Sequence, residues 1–294
     1  MSSFVLFTLT GLGLAGLYFL LASGLSLIFG LMSVLNLAHG AFFAAGGYTA
    51  WFVMDALDSV PIGLRFIVAL LAAGLVGASA GAVIERVLVR RLYGQHVEQI
   101  LLTIGLGMAA VALMGGWFSY DPRLLTQPDW FGDTTEIAGA NVPNNRLLIL
   151  GVAILFFIGL MTFLKRTRHG LIIRAGVENP SMVRALGIDV SRSFTIVFAL
   201  GGLLAGVGGA LGTVYFNGIS PSLGTTQLIF AFIVVVIGGL GSIPGTALAS
   251  VLVALTQIYV NNYLTSGLGS ISVVVLLAGV LLVRPQGLLG KAAP

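Results

Sequence analysis

Nine apolar stretches run through this chain, at 4–31, 37–54, 62–84, 99–117, 147–164, 193–215, 226–240, 246–262 and 269–283, and none has Asp or Glu at its centre. A helix that crosses a bilayer needs about 20 mostly apolar residues. Charged residues make up only 8% of the 294, against roughly 25% in a soluble domain. There is too little polar material to cover a water-facing body, so lipid must be the outer solvent. The fold class that follows is all-α: a polytopic integral-membrane helical bundle of about eight or nine spans, with interrupted helices. The count turns on 4–31, which is too long for one straight helix and reads as a tilted helix or as a helix followed by a re-entrant piece. Glycine is abundant, at 41 residues. Small residues let membrane helices approach closely, and the pairs Gly77/Gly81 and Gly202/Gly206 are spaced four apart for that purpose.

Lys and Arg set the orientation, because they accumulate on the cytoplasmic side of membrane proteins. Loop 85–98 carries Arg86, Arg90 and Arg91. Loop 165–192 carries Lys165, Arg166, Arg168, Arg174, Arg184 and Arg192, and the C-terminal tail carries Arg284 and Lys291. Loop 118–146 instead carries Asp121, Asp129, Asp133 and Glu136 with only Arg123 and Arg146; loops 55–61 and 216–225 hold no Lys or Arg. The expected arrangement is one transmembrane domain over 1–294, with 118–146 extracytoplasmic and 165–192 a cytoplasmic loop. The N-terminus, MSSFVLFTLTG, lacks the basic start of a signal peptide and reads as a retained span. The net charge of +4 and a pI near 9.7 follow from the same bias and do not call for a nucleic-acid partner.

Several chemical motifs fall away. Gly11, Gly13 and Gly16 spell a dinucleotide fingerprint, but inside an apolar span with neither the strand nor the acidic residue that fingerprint needs. The only lysines, Lys165 and Lys291, precede Arg166 and Ala292, so there is no phosphate-binding loop. Cysteine is absent, and His39, His96 and His169 are scattered, which leaves no metal site. No nucleophile–base cluster stands out. The expectation is a non-catalytic subunit with no cofactor of its own.

Three segments remain. In Ser33–Gly40, Asn36 and His39 interrupt an apolar run, and Gly40 offers a bend. Polar side chains at membrane depth usually face a cavity or the bundle interior. These three residues form a candidate substrate pathway, or else a helix cap and an interhelical hydrogen bond. In Gly238–Gly245, Pro244 and four glycines break a short span, as a pathway element or as a tight turn. In 168–188, Asn179 suits an N-cap, Pro180 the first helical position and Gly187 a C-terminal stop. That predicts a short helix over 180–186 with Met182, Val183 and Leu186 on one face, set in a basic loop as if to dock a partner.

These segments and their order resemble a known family, the permease subunits of high-affinity branched-chain amino acid ABC importers of the hydrophobic-amino-acid and amide type. The resemblance covers nearly the whole chain. GLSLIFGLMSVLNLAHGAFFAAGGYTA at 24–50 is similar to the family's N-terminal signature. VIERVLVRRLYG at 83–94, LLTIGLG at 101–107, FALGGLLAGVGGAL at 198–211 and AFIVVVIGGLGSIPG at 231–245 follow in the expected order. IRAGVENPSMVRALGI at 173–188 is similar to the family's ATPase-coupling loop. The resemblance implies that Arg174, Ala175, Glu178, Asn179, Met182, Val183, Arg184, Ala185, Leu186 and Gly187 dock an ATPase. It also implies a second homologous permease, two cytoplasmic ATPase subunits that carry ATP and Mg, and a periplasmic solute-binding protein, in a bacterial inner membrane. Ala41 departs from the acidic or polar residue that many relatives place after His-Gly, which leaves the solute open among leucine-like amino acids, amides and urea. The competing expectation is an ion-coupled secondary transporter of a small polar solute, which would use an intramembrane carboxylate or an equivalent ion site. A membrane protein with a structural or signalling role is a third.

Overall fold

The computed structural model describes residues 2–32, 35–178, 180–185, 187 and 190–290. Every one of the nine apolar stretches forms a helix. They are α1 (Ser2–Met32), α2 (His39–Ala56), α3 (Ile62–Val87), α4 (His96–Phe118), α6 (Asn144–Arg166), α9 (Val190–Tyr215), α10 (Leu223–Gly238), α11 (Ile243–Tyr263) and α12 (Leu268–Val283). Between them lie the short helix α5 (Asp129–Gly132), the pair α7 (Arg168–Glu178) and α8 (Pro180–Ala185), and a hairpin of β1 (Thr134–Ile137) and β2 (Ala140–Pro143). Among the described residues, α1, α3, α4, α6, α9 and α11 are long and apolar enough to cross a membrane, and α10 and α12 are shorter apolar helices of 16 residues. The region 4–31 resolves as one uninterrupted helix. At 31 residues, α1 is about 46 Å long, well beyond a hydrocarbon core of about 30 Å.

Helix α9 is the axis of the bundle and packs along α1, α2 and α3. Its glycines allow this. A Cβ on Gly202 would lie 2.0 Å from Gly77 O, one on Gly206 2.3 Å from Ala73 O, and one on Gly81 2.3 Å from Phe198 O. Lipid tails are as apolar as leucine, so helices in a membrane associate through close packing rather than hydrophobic expulsion. The two glycine pairs legible in the sequence thus meet each other across the α3–α9 seam.

The packing scheme has an internal two-fold character that the sequence scarcely hints at. Exchanging α1 with α9, α2 with α10 and α3 with α11 maps the α3–α9 packing onto α11–α1, α2–α9 onto α10–α1, and α2–α3 onto α10–α11. The pairs α1–α9 and α2–α10 map onto themselves, and each contains a glycine–glycine contact, Gly24 with Gly201 and Gly40 with Gly224.

The two ends of the bundle differ in charge. One gathers the segments between α3 and α4, between α6 and α9, between α10 and α11, and after α12. All Lys and Arg except Arg65, Arg123 and Arg146 belong to those segments or the helix turns beside them. The other end carries Asp55, Asp58, Asp121, Asp129, Asp133 and Glu136. Here Arg65 closes the end of α2, donating to the carbonyls of Met54 (3.1 Å), Asp58 (2.7 Å) and Val60 (3.0 Å) and pairing with Asp58 at 3.1 Å. A cation suits the carbonyl-rich C-terminus of a helix. At the same end Arg123 and Ile219 exchange backbone hydrogen bonds of 2.8 and 2.9 Å, which tie the long loop after α4 to the turn before α10.

Candidate translocation site and docking surface

The segment between α1 and α2 turns back into the bundle over residues 35–38. Leu35 O accepts from Thr103 Oγ1 at 3.4 Å, and Leu37 O sits against Gly107, so residues 35–38 run beside the third and fourth turns of α4. His39 Nε2 donates to Leu21 O at 3.1 Å. Leu21 precedes the end of α1 by eleven residues, or about 16 Å. Asn36 and His39 are fully buried, and Gly40 is buried with them. Locally the fold is explained by Asn36, whose Oδ1 accepts from Ala38 N at 3.1 Å while its carbonyl accepts from His39 N at 3.1 Å. This Asx turn starts α2.

Gly40 brings in a neighbour that sequence reasoning missed. A Cβ on Gly40 would lie 2.5 Å from Gly224 O, so the N-terminus of α2 abuts the N-terminus of α10. Helix α10 begins at Leu223, three residues before the apolar stretch at 226, after the polar run Ser220, Pro221 and Ser222. That run, with Thr225, Thr226 and Gln227 behind it, was the available signal. Two polar atoms here have no partner among the described residues: Asn36 Nδ2 and His39 Nδ1. The segment at 238–245, by contrast, is a tight turn. Gly239 and Gly241 adopt φ of +97° and +80°, Ser242 caps α11 by accepting from Gly245 N at 3.2 Å, and Pro244 occupies the first turn.

At the basic end the predicted helix over 180–186 is α8, Pro180–Ala185, and Gly187 has a φ of +73° that suits a helix stop. Asn179 and Leu186 lie outside the described residues; Glu178 ends α7 and Arg184 lies on α8. Arg174, Ala175, Ala185 and Gly187 are exposed, and Met182 is 60% exposed. Val183 corrects the expected common face: it is only 4% exposed, packed into the core while Met182 points out. Successive residues of a helix are about 100° apart, so the short α8 turns one toward the bundle and the next away from it. The helix α7 was not expected. It is amphipathic, with Ile173 buried and Leu171 60% exposed, and Gly176 meets the Leu31 side chain near the end of α1. Between α7, the ends of α1 and α6, and the α10–α11 turn lies a cavity of about 570 Å³, lined in part by Lys165, Arg174 and Ser242.

A second constellation at this end went unread in the sequence. Glu85, fully buried at the end of α3, accepts from Arg90 Nε (3.2 Å), Thr195 Oγ1 (2.6 Å) and the Tyr93 hydroxyl. Arg90 also donates to Thr195 Oγ1 at 3.0 Å and Ser191 O at 3.4 Å. Burial first, and then the hydrogen bond to Glu85, raise the Tyr93 phenol above its ordinary value, so it stays a donor. This cluster fastens the short 3-10 turn at Val89–Leu92 and the first turns of α9 to α3.

A polytopic bundle with a segment that turns back into it, paired helix N-termini inside it and exposed helices on its basic end is the architecture of a transport permease. The chain belongs to the family described as branched-chain amino acid transport system / permease component, whose model matches residues 7–284. It is therefore a multi-pass inner-membrane permease component. It is 32% identical to the high-affinity branched-chain amino acid transport system permease protein BraD of Pseudomonas aeruginosa, over 96% of this chain and 94% of that one. It is 30% identical to the corresponding LivH of Escherichia coli K12, again over 96% and 94%. It is also similar to LivM of Salmonella typhimurium, at 29% identity over 95% of this chain and 69% of that one.

Proposed function

We propose that this chain is the membrane subunit through which an ATP-driven importer passes branched-chain or closely related amino acids into the cytoplasm. The observation that carries the reading is the continuity of α7 and α8 with the bundle axis. An exposed helix pair at the basic end leads into α9, which packs on α1, α2 and α3. A push on α8 therefore reaches the seam where α2 begins. Arg174, Ala175, Met182, Ala185 and Gly187 form the docking surface, with Glu178, Asn179, Arg184 and Leu186 in the same segment, and Val183 anchors it. Asn36, His39 and Gly40 line the route. The basic end is cytoplasmic, and the hairpin loop 118–146 lies outside, where a solute-binding protein delivers its cargo.

The chain carries no phosphate-binding loop, so ATP and Mg act on two separate ATPase subunits and this subunit is non-catalytic. The likeness to LivH-type and LivM-type proteins alike supports pairing with a second, homologous permease. An ion-coupled carrier is less well supported. The spans hold no Asp or Glu at their centres, and buried Glu85 is consumed by three hydrogen-bond donors at a helix end. Affinity purification of this chain from its native membranes tests the proposal. Recovery of a second permease and of ATPase subunits is expected, and recovery of this chain alone would remove the ATP-driven reading.

A further inference from the structure

Both helices that meet at Gly40 and Gly224 present their N-termini; His39 N, Ala41 N and Leu223 N are satisfied by Asn36 O, Ala38 O and Ser220 O, whereas Gly40 N, Gly224 N and Thr225 N have no acceptor among the described residues. The first-turn amides of a helix lack intrahelical acceptors and carry partial positive charge. Neither N-cap residue, Ala38 for α2 and Ser222 for α10, makes a side-chain cap, and neither first turn contains an acidic residue. No Asp or Glu occurs in residues 1–54 or 190–294, nor in residues 99–117 of the neighbouring α4. Two like-signed helix ends thus abut in a buried place without a counter-charge. The second observation is independent of the helix ends. Asn36 and His39 are fully buried, each uses one side-chain atom to hold the fold, and each leaves another without a partner among the described residues: Asn36 Nδ2, a donor, and His39 Nδ1. A carbonyl only accepts, so His39 Nε2 must donate to Leu21 O. In the neutral ring Nδ1 then carries the lone pair and is an acceptor. The unpartnered groups therefore fall into two sets, a donor-rich set made of helix ends and the Asn36 amide, and a single acceptor.

We propose that this seam is a receptor for the zwitterionic head of an α-amino acid, with the carboxylate on the two helix N-termini and Asn36 Nδ2, and the ammonium on His39 Nδ1. The assignment rests on the amino acid reading above and adds where the solute's charges are held. Interrupted helices whose N-termini face an anionic substrate group are a recurring solution in transporters with internal repeats. Here the helices are the pair that the internal two-fold maps onto itself. In this structure the termini touch, since a Cβ on Gly224 would lie 2.0 Å from Gly40 O, so the head is admitted only when α2 and α10 part.

Two measurements on the complete importer test this. In lipid nanodiscs without the binding protein, bound radiolabelled L-leucine should be displaced by L-leucine, but not by L-leucinamide, which lacks the carboxylate, or by 4-methylvalerate, which lacks the ammonium. Equal displacement by all three, or no leucine binding, overturns the receptor. In proteoliposomes with the binding protein, Asn36→Asp puts a built-in carboxylate at the anion position. Asp and Asn are equivalent caps, so the Asx turn survives, while leucine uptake should fall by roughly tenfold or more. Wild-type uptake in this variant would overturn the proposal. If the variant fails to accumulate, the displacement result decides. Wild-type uptake of leucine is read in the same vesicles. Its absence would sink the amino acid reading itself, whereas its presence with indiscriminate displacement sinks only the receptor.

Discussion

At the residue scale the glycines make the sharpest claims. Gly202 and Gly105 are both helical, yet a Cβ on Gly202 would strike Gly77 O at 2.0 Å, whereas one on Gly105 meets nothing within 4 Å. Gly202→Ala should therefore force α3 and α9 apart and cost about 1–3 kcal/mol or more. Gly105→Ala should be neutral or slightly stabilising, because alanine is the better helix former. Thermal unfolding of the purified protein in detergent separates them: a clear drop in Tm for the first and none for the second. Equal behaviour would mean that the α3–α9 seam is looser than described. The sequence revealed the spacing of Gly77/Gly81 and Gly202/Gly206 because four-residue spacing lies on one helix face. It could not reveal that Gly40 meets Gly224, because that contact joins two helix ends 184 residues apart.

At the element scale, transmission into the bundle requires α7, α8 and the base of α9 to move as one. Glu85 provides the tie to α3. Glu85→Leu leaves Tyr93, Thr195 and Arg90 without their shared acceptor, at a cost of about 3 kcal/mol. Glu85→Gln keeps a carbonyl acceptor and should lose less. The Tm order wild type, Gln, Leu is expected, and a Leu variant as stable as wild type would show that the cluster contributes nothing. On α8, Met182→Asp should leave insertion intact but reduce recovery of ATPase subunits in affinity purification; undiminished recovery would take α8 out of the docking surface. The apolar stretches were legible because lipid demands long uncharged helices, and α8 because Pro180 and Gly187 bracket it. Helix α7 escaped notice because two glycines and its basic residues read as loop, although Leu171, Ile172 and Ile173 already supplied an apolar face. The cluster around Glu85 escaped because its members come from sites as distant as 85 and 195 and share no motif.

At the scale of the whole molecule, charge segregation predicts the orientation and packing carries the repeat. The Lys/Arg distribution predicts that Ser181→Cys, in a chain with no cysteine of its own, is protected from an impermeant thiol reagent in intact cells, while Thr134→Cys is labelled. The reverse pattern would invert the bundle. The internal two-fold was barely legible because it resides in which helices touch, and many apolar side chains serve a given packing position. The central claim is that ATP hydrolysed on partner subunits drives an amino acid through this bundle. Reconstitution tests it most directly: proteoliposomes with this chain, its second permease and the ATPases, with the binding protein on the outside. ATP-dependent accumulation of L-leucine that vanishes when the ATPases are omitted is the predicted result. Accumulation that persists without them and follows an imposed ion gradient would contradict it.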